Sequence, residues 1–541
     1  MLLLDFQASI NHCGNISPRF NISRGCRQGD PIAPYLFIIA VELLAHKLRS
    51  DTGVKGFDLG GDLTHILDLY ADDLTIYLTP GEQNLQNVLD IIRNFFHLSC
   101  LKISVTKTKA IWFGSDADCD LKLCRAENLV WTKNFTLLGL EFDNKLEQMD
   151  QNYYEKIKDI EKMLQGWLYR HLTPYGKIVV LKSLALSKLS HIASVVPNLP
   201  KKDLAKLEQI FFSFLWSNKT EKVSKKDSLK PLKCGGLAMV DIHVFWQSLK
   251  CTWVRRLLST KAFWPEILKA ELTQHNSSIQ KLLFYGPSYL QNISKKIKNK
   301  FWQNVLLSLA NLVRESSFSN PENFYLFSIF NNPLFKSARR TLTRNDFGNP
   351  EHQLILVADL YKHEGTIYTL TELNNLHNIT MTQIQYDRIR NAILSALVSL
   401  NLNLGTCTWH PAPRQSVIIQ IASLNKKGCR AFSRVLRAKA NYNENTSEIE
   451  EKWHAQLNST LSVTFWDNAW RLHASIKDNN QFKWLECQIL RNSLFTNNRV
   501  SKFKNISDRC DLCGQHVETP LTLFTQCPMV LSFWYEVQDY L

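Results

Sequence analysis

Two short apolar runs, HILDLY ending at Tyr70 and LTIYL starting at Leu74, flank Ala71, Asp72 and Asp73. Runs of this length broken by Asp predict two strands joined in a hairpin, with carboxylates at its turn. The segment that follows supplies a backing for it. Leu85, Val88, Leu89, Ile92, Phe95 and Phe96 recur at helical spacing, so an amphipathic helix is expected over Glu82 to His97, packed on the hairpin. Upstream, Asp30 precedes Pro31 and the run PIAPYLFIIAVELLAHKLR, which predicts a capped, buried helix between Asp30 and Arg49. Downstream, LKISV, AIWFG and FTLLGLEF are short β-rich runs. The first 145 residues therefore read as α+β, a small antiparallel sheet backed by helices. From Asn152 the periodicity turns mainly helical, with LKSLALSKLSHIASVV and DLAKLEQIFFSFLW as the clearest amphipathic stretches.

A chain of 541 residues is too long for one core and is expected to divide into several domains. The divisions taken here are 1–145, 146–285, 286–504 and 505–541. The formal charge of +15 is that of a protein with a polyanionic partner such as nucleic acid, or of a merely basic protein. Thirteen cysteines scattered over the chain, with no signal-peptide pattern after Met1, point to a reducing intracellular compartment, nucleus or cytoplasm. The apolar stretch Ile32 to Ala45 is broken by Glu42 and followed by His46 and Lys47, too short for a membrane span, so no membrane association is expected.

The turn acids have a chemistry if their context supports it. Nucleotide polymerisation is an in-line attack on phosphorus with two divalent ions stabilising the attacking and leaving oxygens, and carboxylates hold those ions. Magnesium takes hard oxygen ligands, which suits Asp72 on a rigid hairpin with Asp73 beside it. Taken alone, an Asp-Asp turn reads as a solvated loop. Here RGCRQGDPIAPYLF from Arg24 precedes it, and SCLKISVTKTKAIWFG from Ser99 and FTLLGLEFD from Phe135 follow it.

These four ordered segments resemble the reverse transcriptases of non-LTR (LINE-like) retrotransposons, whose motifs B, C, D and E they match in order. The resemblance implies an RNA-directed DNA polymerase palm that uses magnesium and deoxynucleoside triphosphates on an RNA template and a DNA primer or target. It implies that Arg27, Gln28 and Gly29 contact template and incoming nucleotide, that Tyr70 lines the nucleotide site, and that Asp72 ligates magnesium with Asp73 beside it. Lys107 matches the lysine near the triphosphate, a role Lys109 fits equally well. The motif that supplies the other metal-binding aspartate has no match before Arg24. Asp5 stands at the wrong distance and reads as ordinary strand-end chemistry. Met1 is therefore read as an internal methionine of a truncated palm, and no autonomous polymerase activity is expected. The alternative is a non-catalytic RNA- or DNA-binding remnant.

The resemblance continues through LTPYGKIVVLKSLALSKLSHIASVVPNLP and KCGGLAMVDIHVFWQSLKCTWVRRLL, where it implies a helical thumb followed by a helical connector. Residues 201 to 233 hold nine lysines against four acids, interleaved with Phe211, Phe212, Phe214 and Trp216. The lysines could track phosphates, whereas aromatics at helical spacing are assigned to packing. Lys295, Lys296, Lys298 and Lys300, and a helix face with Arg430, Arg434 and Arg437, are two further basic clusters. Near the end, Cys510, Cys513, His516 and Cys527 resemble a small zinc knuckle. Thr522 stands where that pattern has its histidine, and His516 is the proposed substitute. Zinc binding and an unmetallated, degenerate knuckle both remain open.

Overall fold

The computed structural model describes residues 6–22, 25, 29–58, 64–101, 104, 106–120, 129–260, 262–284, 287–315, 324–325, 327, 329–330, 332, 334–343, 356–362, 365–399, 429–438, 447–476 and 479–540. The chain divides into two compact units, 1–148 and 149–541.

In the first unit the expected hairpin is present. Leu67–Tyr70 pairs antiparallel with Asp73–Ile76 in the register Leu67↔Ile76, Asp68↔Thr75, Leu69↔Leu74 and Tyr70↔Asp73. Period-two alternation sends Leu67, Leu69, Leu74 and Ile76 into a core shared with Leu44, Ala45, Leu48, Val54, Val88, Ile91 and Ile92. Apart from Val54, in the loop after the first of them, those residues come from helices α1 (Ala33–Ser50) and α2 (Glu82–Ser99). The α2 stripe read from periodicity buries Val88, Leu89 and Ile92, the buried face also takes Asn84 and Ile91, and the helix ends on Cys100 in the left-handed conformation. Asn84 on α2 is buried and fastens the preceding loop to the helix. Its Nδ2 donates to the carbonyls of Lys55 and Thr79, and its Oδ1 accepts from the Lys55 amide.

Two expectations are corrected. Helix α1 is not a buried helix. Only Leu44, Ala45 and Leu48 are buried, while Tyr35, Ile38, Ile39 and Leu43 each expose more than half of their surface, because the shared core reaches only the C-terminal part of the helix. Its start also moves. Asp30 Oδ1 accepts from the Ile32 amide in a tight turn, and the helix begins at Ala33 with Pro34 in its first turn. Nor do the strands form one small sheet. Among the described residues they pair two by two, in six ribbons in this unit, and Lys109–Ala110 with Val130–Trp131 is a parallel pair. AIWFG contributes only Ala110 to a strand, since its ladder with Val130–Trp131 ends there, and Gly114 at φ +68° then turns the chain. FTLLGLEF splits into Asn134–Leu137 and Leu140–Asp143 around Leu138 and Gly139, both at positive φ. LKISV lies mostly outside the described residues.

The second unit is mainly helical, from α3 (Gln151–Leu168), α4 (Pro174–Val180), α5 (Leu186–Val195) and α6 (Lys201–Leu215) to α7 (Lys225–Leu229) and α8 (Ile242–Ser259) and on to Pro528–Tyr540. A π-helical turn over Leu181–Ala185 joins α4 to α5. The resulting stretch, Pro174–Val195, is long and apolar enough to cross a membrane by length and composition. Leu181, Ala185, Leu186, Leu189, Ile192 and Ala193 are nonetheless buried within the unit, as in a core helix. One apolar core runs from Cys251 to Leu436, and Trp253, Trp264, Phe301 and Trp302 pack edge-to-face and stacked beside it.

Candidate functional site

The two-residue turn of the acidic hairpin is Ala71-Asp72, with Tyr70 and Asp73 closing it as ladder partners. Ala71 adopts φ +52°, a left-handed conformation that a small side chain tolerates better than a branched one. Asp72 projects from the tip. Tyr70 and Asp73 share the strand face opposite the apolar core, and all three side chains are exposed. The core behind the hairpin holds the backbone, so the acids are presented to solvent on a fixed support.

On the same face lies a cluster that sequence reasoning missed. Asp68 Oδ2 accepts from the Tyr77 hydroxyl at 3.0 Å, and Asp68 Oδ1 lies 3.2 Å from His65 Nε2. Burial, with the adjacent Asp68 carboxylate, pushes the Tyr77 phenol up to about 12. The available signal was the alternation that puts Asp68 on the face of Tyr70 and Asp73. Asp143, at the end of FTLLGLEFD, is a second structural acid. Partial burial raises its pKa, but the amides of Gln148, Glu147 and Lys145 outweigh this and hold the carboxyl below its ordinary range.

The other residues expected in the site fall as follows. Arg27 and Gln28 lie outside the described residues, as does Asp5, whereas Gly29 is exposed at φ +88°. Lys107 is exposed on a turn, its amide donating to the Ser104 carbonyl, and Lys109 is exposed on its short strand. Among the described residues, the only group of three or more His, Cys, Asp or Glu side chains placed to hold one ion is at the cysteines, so the hairpin acids have no third such partner there.

That cysteine group comprises Cys510, Cys513 and Cys527, whose sulfurs lie within 4.8 Å of one another. A short hairpin presents Cys510 and Cys513, and Cys527 comes from the end of the helical turn Thr522–Gln526. Arg509 bridges Val517, the Cys510 amide donates to the His516 carbonyl, and Gly514 at φ +66° makes the turn. The Cys513 sulfur accepts hydrogen bonds from the His516 and Gln515 amides, which draw its thiol down to about 7. The Cys510 sulfur also accepts from the Cys513 and Leu512 amides, but burial and the neighbouring Cys513 and Cys527 thiols outweigh them and hold its pKa above the ordinary value. The structure does not bring His516 into the group. It contributes backbone only, and its side chain is exposed.

Of the basic segments, Phe211, Phe212, Phe214 and Trp216 are buried and offer no stacking face. Lys230 is buried against Asp227. Lys295, Lys296, Lys298 and Lys300 are all exposed, as are Arg430 and Arg434.

Residues 4–142 match the family model of reverse transcriptases (RNA-dependent DNA polymerases), and the acidic hairpin lies within the match. The first unit thus belongs to the reverse transcriptase family, in the branch found in non-LTR retrotransposons. The chain is similar to the Pol polyprotein of the type-2 retrotransposable element R2DM of Drosophila melanogaster, 23% identical over 316 residues that cover 55% of this chain and 28% of that polyprotein. It is also similar to the Pol polyprotein of the type-1 retrotransposable element R2 of Popillia japonica, 32% identical over 98 residues, 18% of this chain and 13% of that polyprotein. The aligned part spans less than a third of either relative.

Proposed function

We propose that this chain is part of an RNA-directed DNA polymerase, with Asp72 as a magnesium ligand and Asp73 beside it. The observation that carries this is the exposed two-residue acidic turn on a core-backed hairpin inside the family match. Bound magnesium would stabilise the attacking and leaving oxygens of nucleotidyl transfer. The protein's part is to present carboxylate oxygens on a support that does not move. Tyr70, one ladder position from the tip, is suited to contact the incoming deoxynucleotide. Gln28 and Gly29, with Arg27, are assigned to template and nucleotide, and Lys107 or Lys109 to the triphosphate.

In this reading residues 1–145 are palm, 146–285 thumb, 286–504 connector and 505–541 a knuckle that holds zinc, in an intracellular protein acting on RNA and DNA. Two-metal chemistry needs a further carboxylate, and the motif that supplies it in the family has no match before Arg24. The chain by itself is therefore assigned no polymerase activity. The same observation favours a second role for the isolated chain, nucleic-acid binding through the exposed lysines at 295–300.

Primer extension on an RNA template tests both readings. The chain alone should give no extension. Extension that disappears on Asp72→Asn would overturn the inactivity while supporting the site. RNA binding should weaken as salt rises, and absence of binding at low salt would remove the second role.

A further inference from the structure

The cysteine hairpin is built for a metal, but its donor set stops at three. The sulfurs of Cys510 and Cys527 stand 4.0 Å apart, far longer than a disulfide bond. A Zn–S distance of about 2.3 Å puts neighbouring sulfurs of a tetrahedron roughly 3.8 Å apart. These features point to a divalent, thiophilic ion.

No fourth protein donor joins them among the described His, Cys, Asp and Glu residues. The nearby candidates are otherwise engaged. Glu518 is buried and accepts from the Asn497 amide through Oε1 and from the Asp511 amide through Oε2. Asp511 Oδ1 accepts from Asn497 Nδ2 at 2.8 Å. Thr522 is buried with its hydroxyl 2.9 Å from that of Thr519, and a neutral hydroxyl is a poor zinc ligand. His516 faces solvent. Cys510 and Cys527 are buried, whereas Cys513 is part-exposed and leaves the group open to solvent on its side.

We infer that Cys510, Cys513 and Cys527 form a three-thiolate zinc centre whose fourth position is filled by an exchangeable outside ligand, water or a nitrogen donor. This rests on the zinc reading proposed above and replaces His516 as a ligand. Structural zinc sites are closed by four protein ligands, so an open position separates this centre from a purely structural one.

The test uses the full chain, reduced and stripped of metal, then loaded with zinc or cobalt(II). One metal per chain is expected, and His516→Ala should leave that ratio unchanged. Adding imidazole to the cobalt form should produce a saturable shift of its visible ligand-field bands, at constant thiolate-to-cobalt absorption. A cobalt spectrum insensitive to imidazole, or loss of metal on His516→Ala, would overturn the open position while leaving zinc binding intact. No stoichiometric metal at all would sink the zinc reading itself, and the inference with it.

Discussion

Ala71 carries the conformational cost of the acidic turn. A left-handed residue with a Cβ costs roughly 1–2 kcal/mol, and a branched side chain there costs more. Ala71→Val should therefore destabilise the hairpin by about 1–2 kcal/mol and Ala71→Gly should change it little. Amide exchange over residues 67–76 in the full chain measures this, and equal protection in the valine variant would refute it. His473 makes a second residue-scale case. Its Nε2 lies 2.8 Å from the Tyr175 hydroxyl and its Nδ1 2.8 Å from Glu486 Oε2. Burial holds its pKa below the ordinary value, against the pull of Glu486. The unfolded chain then binds more protons as pH falls below about 6.5, and stability is complete above that value and lost on acidification. The melting temperature should drop from pH 7.5 to 5.5, and His473→Asn should shrink that drop. The hairpin acids were legible from a few adjacent residues. The Tyr175–His473 contact joins positions 298 apart and leaves no local signal.

At the scale of elements, the sequence revealed what depends on periodicity and concealed what depends on neighbours. The stripe of α2 and the alternation of the hairpin set their own buried faces, and both formed as read. Helix α1 carries an apolar run as strong as any, yet half of it is exposed, because burial is decided by what packs against the run. The ribbons of two to four residues show the same limit, since strand propensity does not choose a partner. Helix ends in the second unit depend on two buried lysines that no cap pattern flags. Lys177 Nζ donates to the Leu215 carbonyl at the end of α6. Lys250 Nζ donates to the carbonyls of Ala193 and Val196 at the end of α5, at 2.7 and 2.5 Å, beneath the Phe301 ring. Burial draws the Lys250 amine down to about 7. Between that value and the unfolded value of about 10.4 the unfolded chain binds the extra proton, so stability rises with pH across this window. The gain attributable to Lys250 between pH 7 and 9.5 should be about 3 kcal/mol by the pKa difference, and Lys250→Met should abolish it. Amide exchange over residues 186–196 and 242–258 of the two proteins at both pH values decides this, and parallel pH profiles would reject it.

In the second unit Arg491 ties together segments 264 residues apart. Arg491 is almost fully buried, with Nη1 donating to the Gly235 carbonyl and Nη2 to Asp227 Oδ2, while Lys230 holds the other oxygen of the same carboxylate. Burial raises the Asp227 pKa, but the two cations outweigh it and keep the group ionised. The receiving loop tolerates no added bulk. Gly235 sits at φ +73°, and a Cβ on Gly236 would lie 2.0 Å from the Lys230 carbonyl oxygen. This explains in physical terms why two glycines follow Lys233 and Cys234, a segment legible beforehand only by family resemblance. Removing one partner of a buried charge network strands the others, at a cost of about 3–5 kcal/mol. Arg491→Ala should therefore lower stability by about that amount, and Arg491→Lys should restore only part of it, because an ammonium cannot reproduce the two-pronged contact. A chain of two units need not unfold in one step, so the decisive readout is local: amide exchange at residues 225–239 and 480–491. Both segments should lose protection together in Arg491→Ala. Loss confined to 480–491 would mean that the loop holds its shape without the arginine and that the long-range tie does not order it.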